Sequence, residues 1–432
     1  MDIRKIQDLL QQEQLDGWLF TDFHGHDFIA KDFLSLTERS CTRRLFYFIP
    51  TAGAPIKILS AIEPLLLDHL PGRKVLYKGK TEMHTVLQEM LMSNEKNDSQ
   101  RDQQKCETGN DSQKEQTKCE SGIKRYQAQL KTKIESRKRI ACQYSPLGDV
   151  PVVSSIDAGL AEYLQSLGIE LVSSGDLLQH FGAVLTEEQI ESHRQAGILI
   201  HKILDDTFAW IRQSLDAGEE INEWQMLQKM QELIAQTPLE MSGPPFFGIN
   251  EHGCDPGYEP QEQGSAPIRE GCQLIIDIAG RLPGEDSVYY DISWCMNIGP
   301  DIDPAYQALF DLVKKIRQAD FDLIQARLDA GLSIQGCEVD AQTQTMIRQA
   351  GYGECIMHRT GHSIGHDCHG IGANLDDYET HDTRTLLPGT MFSIEPGIYT
   401  DKYGVRLEYD VHITPERKLK IYGPVQEEIL II

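Results

Sequence analysis

Four carboxylates set into apolar, strand-like segments constrain this chain more than any other feature. Asp277 lies in LIIDIAG, Asp291 in VYYDISW, Glu395 in FSIEPGIY and Glu408 in VRLEYDV. An ionised carboxylate buried without a partner is very costly, so each needs a proton, a paired cation or a metal ion. Any one of them alone reads as a hydrogen-bonded or arginine-paired core acid, and Arg406 is an evident partner for Glu408. Four together, beside the histidine-rich stretch HRTGHSIGHDCHG at 358–370, point to a shared cation. The fold must then gather distant segments at one place.

The hydropathy pattern around these residues is α+β. EEQIESHRQAGILIHKILDDTFAWIRQSL (187–215) and NEWQMLQKMQELIAQ (222–236) read as a helix pair, followed by strand candidates at 271–280 and 287–299. The order then recurs. PAYQALFDLVKKIRQADFDLIQARL (304–328) carries Leu309, Leu312, Val313 and Ile316 at helical spacing. EVDAQTQTMIRQAG (338–351) ends at a glycine, and strand candidates HRTGHSIG, TMFSIEPGIYT and GVRLEYDVHIT follow. Two helix-helix-strand copies predict one domain over 183–432, with pseudo-twofold symmetry and a cleft between its halves.

Residues 1–182 alternate helix-like and strand-like segments, among them DGWLF (16–20), RIACQY (139–144), IDAGLAEYLQSLG (156–168) and IELVS (169–173), and predict a separate α/β domain. Inside it, NDSQRDQQKCETG (97–109) is followed by the near-copy NDSQKEQTKCESG (110–122). The repeat has almost no apolar side chains to repay the entropy of ordering, so 93–136 is expected to contain a disordered insertion. Cys106 and Cys119 are then copies of one linker position, not a ligand pair.

Net charge of −25 argues against nucleic acid or an anionic membrane as partner, although a formal count takes no account of carboxylates neutralised by bound cations. No run approaches the ~18 apolar residues of a membrane span, and the charged N-terminus MDIRKIQDLLQQEQ has no signal-peptide core. Ten scattered cysteines without a C-x-x-C pair suit reduced thiols in the cytoplasm.

The histidine stretch supports two chemistries. Gly361-His362-Ser363-Ile364-Gly365 satisfies the G-x-S-x-G pattern of serine hydrolases, with His412 and Asp410 available as later triad members. That elbow needs a helix after Ser363, and HDCHGIGANLDDYETHDTR has no helical apolar period. GIGAN (370–374) fails as a dinucleotide loop for the same reason, and it lacks a third glycine. The metal reading gains from the four carboxylates.

The ordered motifs IIDIAG with YYDIS, then HRTGHSIGHDCHG, FSIEPGIY and GVRLEYD, resemble those of the pita-bread metallopeptidases. That family includes methionine aminopeptidase, aminopeptidase P, prolidase and the metal-free creatinase; HxxGH, with GVRLE soon after IEPGIY, is most similar to the aminopeptidase P and prolidase branch. The resemblance covers 183–432, and residues 1–182 resemble the creatinase-type N-terminal domain. It implies that Asp277, Asp291, His362, Glu395 and Glu408 hold two divalent ions. His358 and His369 would line the pocket and steady the substrate carbonyl, and Glu395 would also take a proton from a metal-bridged water. Arg406 would buttress the carboxylates or meet the substrate, and Tyr258 would meet the substrate. Oxygen-rich ligands favour Mn²⁺, with Co²⁺, Zn²⁺ and Fe²⁺ also compatible. The implied activity is release of an N-terminal residue from peptides with proline in the second position; a homodimer is compatible with this.

Two departures from the family pattern stand out. Asp291 follows Asp277 by fourteen positions, more than is usual, and Asp286 lies between them as a competitor lacking the following Ile-Ser. The branch also carries a His-Tyr pair upstream of the first aspartate. Here CDPGYEP (254–260) has Gly257 before Tyr258, with His252 nearby as a substitute or a plain loop residue. Loss of that histidine opens a second reading: a catalytically weak protein that keeps the cleft for binding a peptide or partner.

Overall fold

The computed structural model describes residues 1–36, 41–92 and 137–432, so the tandem repeat at 97–122, with Cys106 and Cys119, lies outside the described residues. The chain divides into two compact units, Met1–Ser174 and Gly175–Ile432.

The first unit is a mixed sheet of six strands: β1 (Gly17–Asp22), β2 (Leu45–Pro50), β3 (Ile56–Ser60), β4 (Arg73–Tyr77), β5 (Arg139–Cys142) and β6 (Glu170–Ser173), in the order β4-β3-β2-β1-β5-β6. Strand β1 is buried along its whole length, as its unbroken apolar run predicts. Helices α1 (Ile3–Gln12), α2 (Phe28–Phe33), α3 (Lys80–Met92) and α4 (Ala158–Ser166) accompany the sheet. Asp2, Asp27 and Asp157 cap three of them through side-chain bonds to first-turn amides. Leu87 and Leu91 of α3 and Leu160 and Leu164 of α4 pack with Leu19, Phe46, Phe48 and Ile140 of the sheet.

The second unit begins with α5 (Gly175–Gly182). Gln179 ties it to later segments of the same unit, accepting from the Ala373 amide at 2.9 Å and donating to Thr385 O at 3.2 Å. Helices α6 (Glu187–Asp216) and α7 (Glu223–Ile234) come next, each opened by a capping box, Thr186 with Gln189 and Asn222 with Gln225. Helices α8 (Pro304–Asp329) and α9 (Gly336–Gln349) come later, the first with proline at its opening position after Asp303.

Two sets of strands follow the helix pairs. β7 (Phe246–Ile249) and β9 (Tyr290–Asn297) flank β8 (Gln273–Arg281), all antiparallel. Leu274, Ile276, Ile278, Tyr290, Ile292 and Met296 pack against Ile200, Leu204 and Phe208 of α6 and Met226 and Met230 of α7. The two-residue strand period then turns Ile275, Asp277 and Ala279, with Asp291, Ser293 and Cys295, to the opposite face. In the second set, β10 (Ser363–Ile364), β11 (Met391–Ile394) and β14 (Tyr409–Ile413) are antiparallel neighbours, while β12 (Gly397–Tyr399) and β13 (Gly404–Arg406) form a hairpin. Phe392, Ile394, Tyr409 and Val411 pack on Ile324 and Leu328 of α8 and Val339 of α9. Ser393 and Asp410, paired in register, face the other way.

The strands expected over 390–400 and 404–414 are each broken once, at Glu395-Pro396 and at Leu407-Glu408. Pro396 has no amide to give a ladder. The Glu395 amide crosses to Thr360 O at 2.7 Å and the Glu408 amide to Ser293 O at 3.2 Å. Each acid therefore sits where the backbone leaves one sheet for another. Over HRTGHSIG, only β10 is strand.

Within α8, Asp320 is wholly buried and accepts from Thr343 Oγ1 at 2.6 Å and Gln342 Nε2 at 3.0 Å. Burial pushes its carboxyl up to about 7. The folded chain thus holds a proton there that the unfolded chain gives up near ~4, and stability should fall as pH rises from about 4 to about 7. Asp320→Asn, which carries no titrating proton, is expected to flatten that part of the stability–pH curve in chemical denaturation. An unchanged slope would show that Asp320 is not the responsible group.

Candidate metal centre

Strand register places the two aspartates. Asp277 lies opposite Ser293 and Asp291 opposite Ala279, so the carboxylates are diagonal neighbours on one face. The long separation in sequence is taken up by the connection between Arg281 and Tyr290, where Asp286 is exposed. His362 precedes β10, and its backbone is fixed against β11: its amide donates to Ser393 Oγ at 2.9 Å and its carbonyl accepts from the Ser393 amide at 2.9 Å.

These residues meet. His362 Nε2 lies 3.3 Å from Glu395 Oε1 and 3.6 Å from Asp291 Oδ2. One ligand atom each from Asp291, His362 and Glu408 falls within 4.8 Å of the others. Asp277, Asp291, His362, Glu395 and Glu408 all line one cavity of about 520 Å³, together with His358, His369 and Arg406. Asp291 Oδ1 and Glu408 Oε1 are buried with no hydrogen-bond partner.

The electrostatics of this arrangement suit a bound cation. Burial pushes the Asp291 and Glu408 carboxyls well above the usual range, reinforced by Asp277 beside Asp291 and by Asp291 beside Glu408. Burial pushes the His362 imidazole down to about 4, leaving it neutral with a lone pair to offer. Crowded carboxylates, orphaned oxygens and a neutral imidazole make a donor set that fits divalent metal.

Arg406 binds Asp277 rather than Glu408. Its Nη2 bonds Asp277 Oδ2, its Nη1 donates to Tyr399 OH at 3.1 Å and its Nε to Ser293 Oγ at 2.8 Å. Ser293 Oγ in turn donates to Glu408 Oε2 at 2.7 Å, so the link to Glu408 is indirect. His358 is similarly committed. Its Nδ1 bonds the Arg359 carbonyl at 2.7 Å, which fixes Nε2 as acceptor from Tyr399 OH at 2.8 Å. A substrate bond to His358 would have to displace Tyr399. The His369 ring stands edge-on to His362 with centroids 4.3 Å apart, at the exposed side of the cavity.

The upstream loop departs from expectation. Tyr258 does not line the cavity; its hydroxyl donates to Glu223 Oε2 at 2.7 Å and its ring stacks on His252. Glu223, fully buried, also accepts from the Ile249 and Ala266 amides at 2.8 and 2.7 Å and pairs with His252 Nδ1 at 2.8 Å. Only Pro256 of this loop reaches the cavity wall. Sequence offers no signal for Glu223, which looks like any first-turn acid after an Asn cap.

Ser363 is no nucleophile: it is buried, accepts from the Gly372 amide at 3.0 Å, and no helix follows it. His412 is turned to Tyr422 OH at 2.9 Å. His366, the remaining histidine of the stretch, lies outside the cavity against Arg281.

A helix-backed pair of β-sheets thus converges carboxylates and imidazoles on one cavity, the mark of a protein built around a divalent metal centre. The model of metallopeptidase family M24 matches residues 191–415, and the chain belongs to that family. It is 29% identical over 301 residues to the "Probable dipeptidase PepE" of Mycobacterium tuberculosis, covering 66% of this chain and 72% of that protein. The crystal structure of dipeptidase PepE from Mycobacterium ulcerans superposes with a TM-score of 0.61 at 18% identity, covering 100% of this chain and 96% of the other. The Xaa-Pro dipeptidase of Bacillus anthracis gives 0.55 at 15% identity, covering 100% and 99%. The pita-bread fold with a prolidase-like N-terminal domain is thereby shared. Among the described residues no helix is long and apolar enough to cross a membrane.

Proposed function

We propose that this metallopeptidase holds two divalent ions, Mn²⁺ first among them, on Asp277, Asp291, His362, Glu395 and Glu408, and releases the N-terminal residue of short peptides with proline second. The observation carrying this reading is the convergence of Asp291, His362 and Glu408 within 4.8 Å, with an orphaned oxygen on each carboxylate. Bound divalent ions supply Lewis acidity and bring the pKa of water toward neutrality.

The chain's own groups do the rest. Glu395, beside His362 and open to the cavity, is placed to take the proton. His369 stands at the exposed side, where a peptide carbonyl enters. Arg406 holds Asp277, Ser293 and Tyr399 in one network and so fixes part of the cavity wall. Arg359 and Glu379, ion-paired at the same cavity, offer opposite charges to a zwitterionic short peptide. The relatives named dipeptidase and Xaa-Pro dipeptidase support short substrates.

Hydrolysis of Ala-Pro, Ala-Ala and Ala-Pro-Ala by Mn²⁺-loaded protein tests the reading. Free alanine should appear fastest from the proline-containing peptides. A preference for Ala-Ala would refute the proline assignment, and no hydrolysis by folded, loaded protein would favour the binding-protein reading that Gly257 suggests.

Gly257 itself is testable. Its φ lies outside the left-handed region, and an added Cβ would meet only Asp255 Oδ1 at 3.4 Å, an ordinary contact. Gly257→His should therefore fold, and because Gly257 is exposed and only Pro256 of this loop reaches the cavity wall, turnover should stay near that of wild type at unchanged metal content. A rise toward the ~10²–10⁴-fold that a positioned acid–base group contributes would show that a side chain at this position does reach the reacting groups.

A further inference from the structure

A second donor set in the cavity shares only His362 with the carboxylate centre. Cys368 Sγ and a ring nitrogen each of His362 and His369 lie within 4.8 Å of one another. Cys368 Sγ also donates to Asp291 Oδ2 at 3.0 Å, while Oδ1 of that buried aspartate has no partner. Cys368 and His369 both border the cavity and keep solvent exposure, so an ion reaches them without any opening of the fold. A thiolate with two imidazoles is a soft set suited to thiophilic ions, whereas the carboxylates with His362 form a hard one. His362 belongs to both.

We propose that His362, Cys368 and His369 form a second, overlapping ion site that takes a thiophilic divalent cation such as Zn²⁺. This rests on the reading of His362 as a ligand of the carboxylate centre. Ligation replaces the S–H proton, which passes to solvent. Three protein donors leave a fourth position for water or for Asp291 Oδ2, in keeping with the four-coordinate preference of Zn²⁺. Filling this site draws His362 away from the carboxylates and takes His369 out of the peptide's path. Thiophilic ions thus oppose the peptidase state that hard ions support, and Cys368 sets how strongly.

Co²⁺ distinguishes the two sites spectroscopically. Its visible d–d bands report binding of any kind at low coordination number, while a near-ultraviolet charge-transfer band requires a thiolate ligand. Chelator-stripped full-length protein titrated with Co²⁺ should show both; Cys368→Ser, which keeps the hydrogen bond to Asp291, should keep the visible bands and lose the charge-transfer band. Cys368→Ala serves as a second variant, with circular dichroism as the check on folding. Zn²⁺ should displace Co²⁺ from the wild type at a concentration at least about tenfold lower than from Cys368→Ser, since losing even a supporting partner of a ligand costs that much. Visible bands without charge transfer in the wild type, or a charge-transfer band surviving in both variants, would overturn the thiophilic site and leave the carboxylate centre standing. No Co²⁺ retained by the wild type after dialysis, measured by elemental analysis, would overturn the ligand reading on which it rests.

Discussion

Glu408→Ala is expected to lower peptide hydrolysis by at least ~10²-fold, since even supporting partners of a ligand are worth 10–100-fold. The same change should act on stability with opposite sign in the two metal states. In metal-free protein, burial pushes the Glu408 carboxyl up and Asp291, Glu395 and Asp277 push it further, so removing it relieves an unfavourable burial and should raise the unfolding midpoint. With metal, wild type gains the linkage stabilisation, about 2.7 kcal/mol at a hundredfold excess over Kd, and the variant gains less. A midpoint that falls equally with and without metal would assign Glu408 an ordinary structural role. Asp286→Ala, in the exposed connection, should change neither quantity.

Glu223→Ala is expected to produce a large stability loss although it lies away from the cavity. It would orphan the Ile249 and Ala266 amides and the Tyr258 hydroxyl, and strip His252 of its partner. Removing one member of a buried charged network costs roughly 3–5 kcal/mol. Glu223→Gln, which keeps an acceptor oxygen, should lose less. Because Pro256 of this loop walls the cavity, hydrolysis should fall as well, mainly through KM. Urea unfolding of both variants checks the order; equal stability of Glu223→Ala and wild type would contradict the network.

Legibility in the sequence followed the physics of each segment. The helices from 187 onward and strands β8 and β9 could be read because one face of each is apolar at its own period, as with Leu274, Ile276 and Ile278 against α6 and α7. Asp277, Asp291, Glu395 and Glu408 were visible because a carboxylate is out of place in such a run. The strand breaks at Glu395 and Glu408 were not, since they depend on amides crossing to Thr360 and Ser293, contacts far apart in sequence. For the same reason Arg406 was matched to Glu408 by proximity along the chain, although it reaches Asp277 from a different strand pair. Tyr258 was given to the substrate on its motif position, whereas Glu223 holds it elsewhere. Cys368 looked like one more scattered thiol until the turn after β10 set it against Asp291.

The central claim is that five residues gathered from distant segments form one dinuclear centre. Metal content after equilibrium dialysis against Mn²⁺, measured by elemental analysis on wild type and Asp291→Ala, tests it most directly. Close to two ions per chain in wild type, and fewer in the variant, is the predicted result; a folded wild type that hydrolyses peptides while binding no divalent ion, or equal occupancy in the two proteins, would contradict it.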